Sequence, residues 1–447
     1  MRILIVGAGA VGFHLAEHLS EEGHDIVLVD RDAERLAYAQ DQLDIMTVVG
    51  NGASLPVLER AGIAQADLLA AVTSVDEVNL IACMSALHYN IDVKVARVSN
   101  PDYFNESGVL RTAQRGVDVM INPELECARE AYQLLQLEAA SELAFFAGGR
   151  VQVVGLRILP EAPVVGRTLV EVSAMVPDRR FLTAAISREG ETIVPRGSDR
   201  FEADDQVYII GESRQMPRVL ELAGYHKFKL RRVMIAGGGR HAVYLANILQ
   251  DHDIECTIIE ADRARCLQLA EQLKKTLVLH GDATDMDLLE MEGVEGIDGF
   301  VVLTGSDDTN MLASLLAKEQ HVRKVVALIN KIDYIPLVRK VGIDAAISPR
   351  LSAVNTILKY VRRGIVHAVA ALRGIDAEVI EFSIEPGSRV AGRTLAEIDF
   401  PDNSLVGAVI RGNEVIVPSG QIALAHGDKV ALLALPDAVS AVEKLFQ

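Results

Sequence analysis

The sequence predicts an α/β protein: two doubly wound parallel-sheet domains, each followed by a small mixed α+β domain. Three observations carry this. Apolar runs alternate with amphipathic stretches from residue 1 to about residue 138, the same alternation returns from residue 228, and each of these segments precedes a shorter one whose own motifs also recur.

The chain of 447 residues exceeds what one hydrophobic core can serve, and about 150 residues per domain gives roughly three domains or more. Half of the residues are hydrophobic, yet Trp is absent. The apolar content is Ala, Val, Leu and Ile, which suits buried parallel strands covered by helices. No run reaches the roughly 18 consecutive apolar residues of a membrane helix. Met1-Arg2 leads directly into a strand pattern, with no room for a signal peptide, so a cytoplasmic location is expected. The formal net charge of −18 opposes a phosphate backbone, and the best basic cluster is short (Lys227, Lys229, Arg231, Arg232). Nucleic acid is therefore not an expected partner. Cys83, Cys127, Cys256 and Cys266 form no C-x-x-C pair and read as reduced residues in apolar or helical surroundings, so no metal site is expected.

The repeat is specific. Ile3-Leu-Ile-Val-Gly-Ala-Gly-Ala-Val-Gly12 aligns with Val233-Met-Ile-Ala-Gly-Gly-Gly-Arg-His-Ala242 at an offset of 230, and Asp30 aligns with Glu260 at the same offset. Thr73-Ser-Val-Asp-Glu-Val-Asn79 aligns with Thr304-Gly-Ser-Asp-Asp-Thr-Asn310 at 231. Behind these, Gly166-Arg-Thr-Leu169 matches Gly392-Arg-Thr-Leu395, and Val194-Pro195 matches Val417-Pro418. The expected order is N1 (1–138), C1 (139–227), N2 (228–372) and C2 (373–447), with the basic segment Lys227 to Arg232 linking the halves.

Within N1 the strands are expected at 3–6, 26–29, 46–49, 68–72, 93–98 and 117–121. The helices are expected at 10–22, 32–43, 54–61, 76–89, 107–115 and 123–138, with Gly23 ending the first. Such alternation demands right-handed crossovers in a parallel sheet. The C segments carry short runs at 151–158, 181–186, 192–195 and 206–210, broken by Gly, Pro and charged pairs. At the end of N2, Leu351, Val354, Leu358, Val361, Ile365 and Leu372 mark one stripe of a long helix, either core or a surface for a partner element.

The glycines carry the chemistry. In Gly7-Ala8-Gly9-Ala10-Val11-Gly12, Gly7 permits a tight turn, Gly9 lets a pyrophosphate approach the backbone, and Gly12 lets the helix pack on the strand. The helix N-terminus then offers unpaired N–H groups to phosphate. Asp30 ends the second strand 18 residues after Gly12, where a ribose-binding carboxylate belongs. This is a Rossmann-type arrangement. Asp30 would repel a 2′-phosphate, which favours NAD or another adenine nucleotide over NADP, and the neighbouring Arg31 weakens that exclusion a little. In N2 the loop is Gly237-Gly238-Gly239-Arg240-His241, with Ala242 in place of the last glycine and Glu260 in place of the aspartate. Arg240 and His241 stand where N1 has Ala10 and Val11, which places a guanidinium close to the phosphates, so N2 is expected to favour ADP or ATP more than N1 does. Arg97 stands where N2 has Leu328; it can reach a phosphate or ribose from the switch-point side, or form a surface ion pair. Glu124 stands where N2 has Arg350, as a helix-dipole partner or a ligand group. Thr73-Ser74 and Thr304-Gly305 fall at a strand's carboxyl end, where such sheets bind ligands; Ser and Thr also cap the helix that follows.

The glycine loops, Asp30 and Glu260, the two Thr-x-x-Asp-x-x-Asn segments and the two Gly-Arg-Thr-Leu segments together resemble the TrkA family, the peripheral subunits of bacterial Trk potassium-uptake systems, over essentially the whole chain. The resemblance implies regulator-of-potassium-conductance (RCK) N and C domains in tandem. It further implies a homo-oligomer, dimer or tetramer, forming a ring on the cytosolic face of a potassium-translocating membrane protein of the TrkH or TrkG type. It implies NAD(H) and ATP or ADP as ligands, contacted at Gly7 to Val11, Asp30, Thr73, Ser74, Arg97, Gly237 to His241 and Glu260. Ala242, Leu328 and Arg350 depart from the first half's pattern. The alternative is an NAD-dependent oxidoreductase, for which His280 is the nearest acid–base candidate; no residue of the β-rich segments stands out as catalytic. A redox-sensing transcriptional regulator would need a basic DNA-reading module, which the acidic balance opposes.

Overall fold

The computed structural model describes residues 1–104, 116–137, 139–225, 229–361, 366–372 and 375–446. The expected helix 107–115 and residues Glu138, Lys227 and Ile365 lie outside them.

The apolar runs form parallel strands because both of their faces are covered: Ile3, Leu4, Ile5 and Val6 are all at most 1% exposed. The first sheet runs, in space, Met46–Val49, Asp25–Asp30, Arg2–Val6, Leu68–Ala71, Val93–Arg97, Val119–Ile121. All of its pairings are parallel. The second repeats this with Leu277–His280, Glu255–Glu260, Arg232–Ala236, Gly299–Val302, Lys324–Leu328, Ala345–Ile347. Chain order reverses beside the first strand of each sheet, which creates a crevice at the carboxyl ends there. The helices of N1 are Ala10–Glu21, Ala33–Gln42, Leu55–Arg60, Asp76–Ser85 with a following 3₁₀ turn Ala86–His88, and Pro123–Gln136. Gly23, at φ +77, ends the first of them. Its N–H donates to Ser20 O and that of His24 to Leu19 O, the paired bonds of a left-handed cap.

The chain folds as two compact units, residues 1–126 with 349–362 and residues 127–348 with 363–447. In the first unit, helix Pro349–Val361 buries Ala353, Val354, Ile357 and Leu358 in one cluster with Ile3, Ile5, Leu15 and Val95. In the second unit, Cys127, Ala131, Leu134 and Leu135 of helix Pro123–Gln136 are buried with Val233, Ile235, Leu245 and Val301. Each parallel sheet is thus covered by the helix that follows the other sheet in sequence. The single helical stripe expected to run to Leu372 is corrected: the helix ends at Val361, and Leu372 ends a strand, Val366–Leu372, paired antiparallel with Ala377–Ser383. Apolar residues at 366, 369 and 372 fit a helical spacing, but the ladder offered by the next strand decides the conformation.

Both small domains lie in the second unit and share one topology. The first sheet runs Glu191–Ile193, Phe181–Arg188, Gln206–Glu212, Val151–Arg157, Ala140–Phe146. The second runs Glu414–Ile416, Ser404–Arg411, Lys429–Ala434, Ala377–Ser383, Val366–Leu372. Strands Ala140–Phe146 and Val366–Leu372 were not anticipated, because each sits at a domain junction between a helix and a stronger strand signal. The two sheets share a core that includes Phe146, Val153, Tyr208, Ile210, Val379, Ala408, Ile410 and Leu433. The Ala147 N–H donates to buried Glu381 Oε2 at 2.6 Å. The repeated Gly-Arg-Thr-Leu segment has a local cause: Gly166 and Gly392 take φ near +78 and +79, and Thr168 and Thr394 form capping boxes with Glu171 and Glu397. No helix among the described residues is long and apolar enough to cross a membrane.

Ile357→Ala empties a fully buried site in the first unit and is expected to cost about 2–5 kcal/mol in chemical denaturation. Amide exchange should show the lost protection in strand Arg2–Val6, roughly 350 residues upstream, if the helix covers that sheet as described.

Candidate functional site

Each glycine loop starts at the end of a first strand. Gly7 takes φ +112, and a Cβ there would lie 2.9 Å from Thr73 N; Gly237 takes φ +95, with Leu303 O at 2.9 Å from the same added atom. A side chain is excluded on conformation and on space. Gly9 and Gly239 are the N-caps of helices Ala10–Glu21 and Arg240–Asp251, with extended backbone, no side-chain cap and no acidic residue in the first turn. A Cβ on Gly9 would meet only Arg35 Nη1, at 4.0 Å, and one on Gly239 nothing within 4 Å. By contrast, the next helix of each sheet is capped by its own Asp32 or Asp262 side chain. The two loop helices therefore have no side-chain cap on their first N–H groups, and the glycine that precedes each has free space around it, an arrangement suited to an anion. Gly12 serves packing: a Cβ there would fall 1.7 Å from Gly7 O.

The two acidic residues hold the loops. Asp30 Oδ2 accepts from Ala8 N at 2.6 Å and Oδ1 from Asp32 N at 2.9 Å. Glu260 Oε2 accepts from Gly238 N at 2.6 Å and Oε1 from Asp262 N at 2.7 Å. A Cβ on Gly238 would lie 2.4 Å from Leu269 Cδ1 and 2.9 Å from Glu260 Oε2, where the first half has the smaller Ala39 and Asp30. The shorter aspartate leaves room for Ala8. Each carboxylate keeps lone pairs for ribose hydroxyls.

Arg265 donates through Nε to Gly238 O at 2.8 Å, and its counterpart Arg35 pairs with Asp32 at 3.2 Å beside Gly9. Motif reading missed both arginines. The signal was available, because Asp32-Ala-Glu-Arg35 and Asp262-Arg-Ala-Arg265 share the offset of 230. Among the described residues no side chain pairs with Arg240, which is exposed at the first helical position of the N2 loop, with His241 half-buried next to it.

Thr73 and Thr304 line the switch-point edge, yet their polar atoms are largely engaged. Buried Asn79 accepts from Thr73 N at 2.9 Å and Thr73 Oγ1 at 2.7 Å, and its amide donates to Thr73 O at 3.0 Å and Arg97 O at 2.8 Å. Asn310 repeats this with Thr304 N at 3.0 Å, Thr304 O at 3.1 Å and Leu328 O at 2.8 Å. Asp76 accepts from the amides of Ser99 and Asn100, as Asp307 does from those of Asn330 and Lys331. The Asp and Asn of the repeated motif therefore fasten the ends of the fourth and fifth strands together, a role that the recurrence of those two residues alone signalled. Ser74 and Arg31 are exposed at the mouth.

Arg97 lies 3.4 Å from Glu124, whose carboxylate also accepts from Ser99 Oγ at 3.1 and 3.0 Å. Both charged side chains are less than a quarter exposed, so in this state they neutralise one another. The helix Pro349–Val361, with Arg350 in its first turn, belongs to the first unit, and Leu328 is buried. His280 Nε2 sits 3.1 Å from Ala261 O. All four cysteines are buried and none forms a disulfide, and desolvation pushes the Cys83 and Cys256 thiols up to about 12.

The sequence profile described as the TrkA-N domain matches residues 3–123 and 233–349, and that of the TrkA-C domain matches 153–224 and 379–447. The chain is 40% identical to the Trk system potassium uptake protein TrkA of Halomonas elongata, covering 100% of this chain and 99% of that one. It is 37% identical to the Trk system potassium uptake protein TrkA homolog 2 of Methanosarcina mazei, over the full length of both. Among solved structures, the GsuK channel bound to NAD superposes with a TM-score of 0.60 at 19% identity, covering 100% of this chain and 78% of that one, which is a likeness of fold.

Gly9→Asp places a good capping residue in open space, so stability is expected to hold or rise by a few tenths of a kcal/mol, while calorimetry should show loss of adenine-nucleotide uptake by that loop. Gly12→Ala is expected to cost about 1–3 kcal/mol, read as a lowered denaturation midpoint. The Cys83 and Cys256 thiols ordinarily ionise near 9.0 and here near 12. The folded chain should therefore resist alkylation at pH 8 and react on unfolding. The stability linked to these thiols is fully present below pH 9 and is lost as pH rises toward 12.

Proposed function

The chain belongs to the TrkA family of Trk system potassium uptake proteins, with TrkA-N and TrkA-C domains alternating twice, and from that premise we propose that it is a nucleotide-sensing regulatory subunit that gates a potassium-translocating membrane protein of the TrkH or TrkG type. The observation that carries this reading is the pair of uncapped helix N-termini, each beside a glycine open to approach and a carboxylate fixed at the end of the second strand. Asp30 in N1 suits the ribose of NAD(H), and Arg240 with His241 gives N2 a bias toward ATP or ADP. The ligand-bound neighbour of similar fold supports NAD as one occupant.

Regulation rather than catalysis fits the crevice. Asn79 and Asn310, with the threonines they bind, spend their hydrogen bonds on joining strand ends. A bound nucleotide shifts a gate only through contacts that differ between two conformations. The loop amides held by Asp30 and Glu260 are groups whose partners change when phosphate arrives. The subunit works as a homo-oligomer, dimer or tetramer, on the cytosolic face of the membrane, anchored by its partner.

Copurification with the membrane component, with and without NADH or ATP, tests this. Nucleotide should change the association or the potassium flux with the native chain, and the NADH response should vanish with Gly9→Asp. NADH should not be consumed with carbonyl substrates; steady turnover would favour the oxidoreductase reading. Absence of any adenine-nucleotide binding by the full chain would overturn the proposal.

A further inference from the structure

In each sheet the strand that ends in Asp30 or Glu260 lies between the glycine-loop strand and the third strand. A nucleotide with its phosphates on the loop and its ribose on the carboxylate would therefore direct its base toward the end of the third strand. The segments there are Gly50-Asn51-Gly52-Ala53 in N1 and Gly281-Asp282-Ala283-Thr284 in N2, at an offset of 231. Each is tied to the carboxylate-bearing residue, Gly50 N to Asp30 O at 2.8 Å and Gly281 N to Glu260 O at 3.0 Å. In N1 the segment folds back over the end of the first strand, since a Cβ on buried Gly52 would fall 2.1 Å from Val6 Cγ1.

Both segments are fixed by an Asx turn. Asn51 Oδ1 accepts from Ala53 N at 3.0 Å; Asp282 Oδ1 accepts from Thr284 N and Thr284 Oγ1, both at 2.8 Å. These bonds also hold the Asp282 carboxyl below its ordinary range, the Thr284 amide first and its hydroxyl second, so it stays ionised at neutral pH. Both residues are exposed, and their backbone carbonyls accept from Ser54 N at 2.9 Å and Asp285 N at 3.1 Å, which leaves the rest of each side chain to solvent. What they present differs. Asp282 presents Oδ2, an acceptor only, whereas Asn51 presents an amide nitrogen, a donor, beside an oxygen that retains a lone pair.

We propose that residues 51 and 282 read the six-position edge of the purine: Asp282 accepts from the 6-amino group of adenine and rejects a 6-oxo purine, whereas Asn51 can donate to ring nitrogen or to a 6-oxo group and tolerates both. The second pocket is strict for adenine and the first is permissive. This rests on the nucleotide reading above and adds base selectivity to it. A carboxylate facing a carbonyl leaves both acceptors without a proton, and a site built around one donor discriminates strongly against the analogue lacking it.

The test uses the full-length chain and two probes, ADP and its hypoxanthine counterpart IDP, which share every phosphate and ribose contact. With the first loop blocked by Gly9→Asp, the second pocket should bind IDP about 10- to 100-fold more weakly than ADP. With the second blocked by Gly239→Asp, the two should agree within about threefold. Asp282→Asn, in the Gly9→Asp background, preserves the turn and should bring IDP to within about threefold of ADP; thermal melting checks that the fold is intact. Equal affinities in the Gly9→Asp protein, or unchanged discrimination after Asp282→Asn, would overturn the selectivity proposal while leaving nucleotide sensing standing. Failure of ADP to bind either pocket would sink both.

Discussion

A parallel sheet has two apolar faces, and both must be withdrawn from water before its strands are worth forming. In this chain each of the two sheets obtains part of its cover from a helix that follows the other. Ile357 and Leu358 close over Ile3 and Ile5 in the first unit, and Leu134 and Leu135 lie with Val233 and Ile235 in the second. Each large side chain so buried contributes roughly 1.5–3 kcal/mol. Neither sheet is completed by its own contiguous segment, so the N-terminal hundred residues depend on a helix that begins at Pro349. Duplication within one polypeptide makes this possible, since two similar sheets offer similar faces to similar helices.

The same duplication lets physical coupling be read from paired differences. Glu260 is one methylene longer than Asp30, and the residue it bonds is Gly238 where the first half has Ala8. Leu269, where the first half has Ala39, and the longer glutamate together fill the space a methyl group would need. The motif built on Asn79 and Asn310 does not vary, because one amide has to satisfy both the threonine and the end of the fifth strand, and no other side chain of that length offers donor and acceptor together. Residues that recur hold the crevice in shape; those that differ include Asn51 and Asp282, both exposed at the end of the third strand, and Val11, a core residue whose counterpart His241 is half-buried.

The amino-acid sequence by itself determined the four-part order, the parallel sheets and the glycine loops, because these rest on short-range facts. Strand runs are continuous, turns need glycine at positive φ, and Asp30 and Glu260 end a strand at a set distance from the loop. Only the tertiary structure decided what covers each sheet, that Leu372 ends a strand rather than a helix, that Arg97 rests against Glu124, and that Thr73 is tied to Asn79. Those outcomes depend on which surfaces meet at long separation along the chain. A stripe of apolar residues states that a face will be buried, and it carries no information about the partner that buries it.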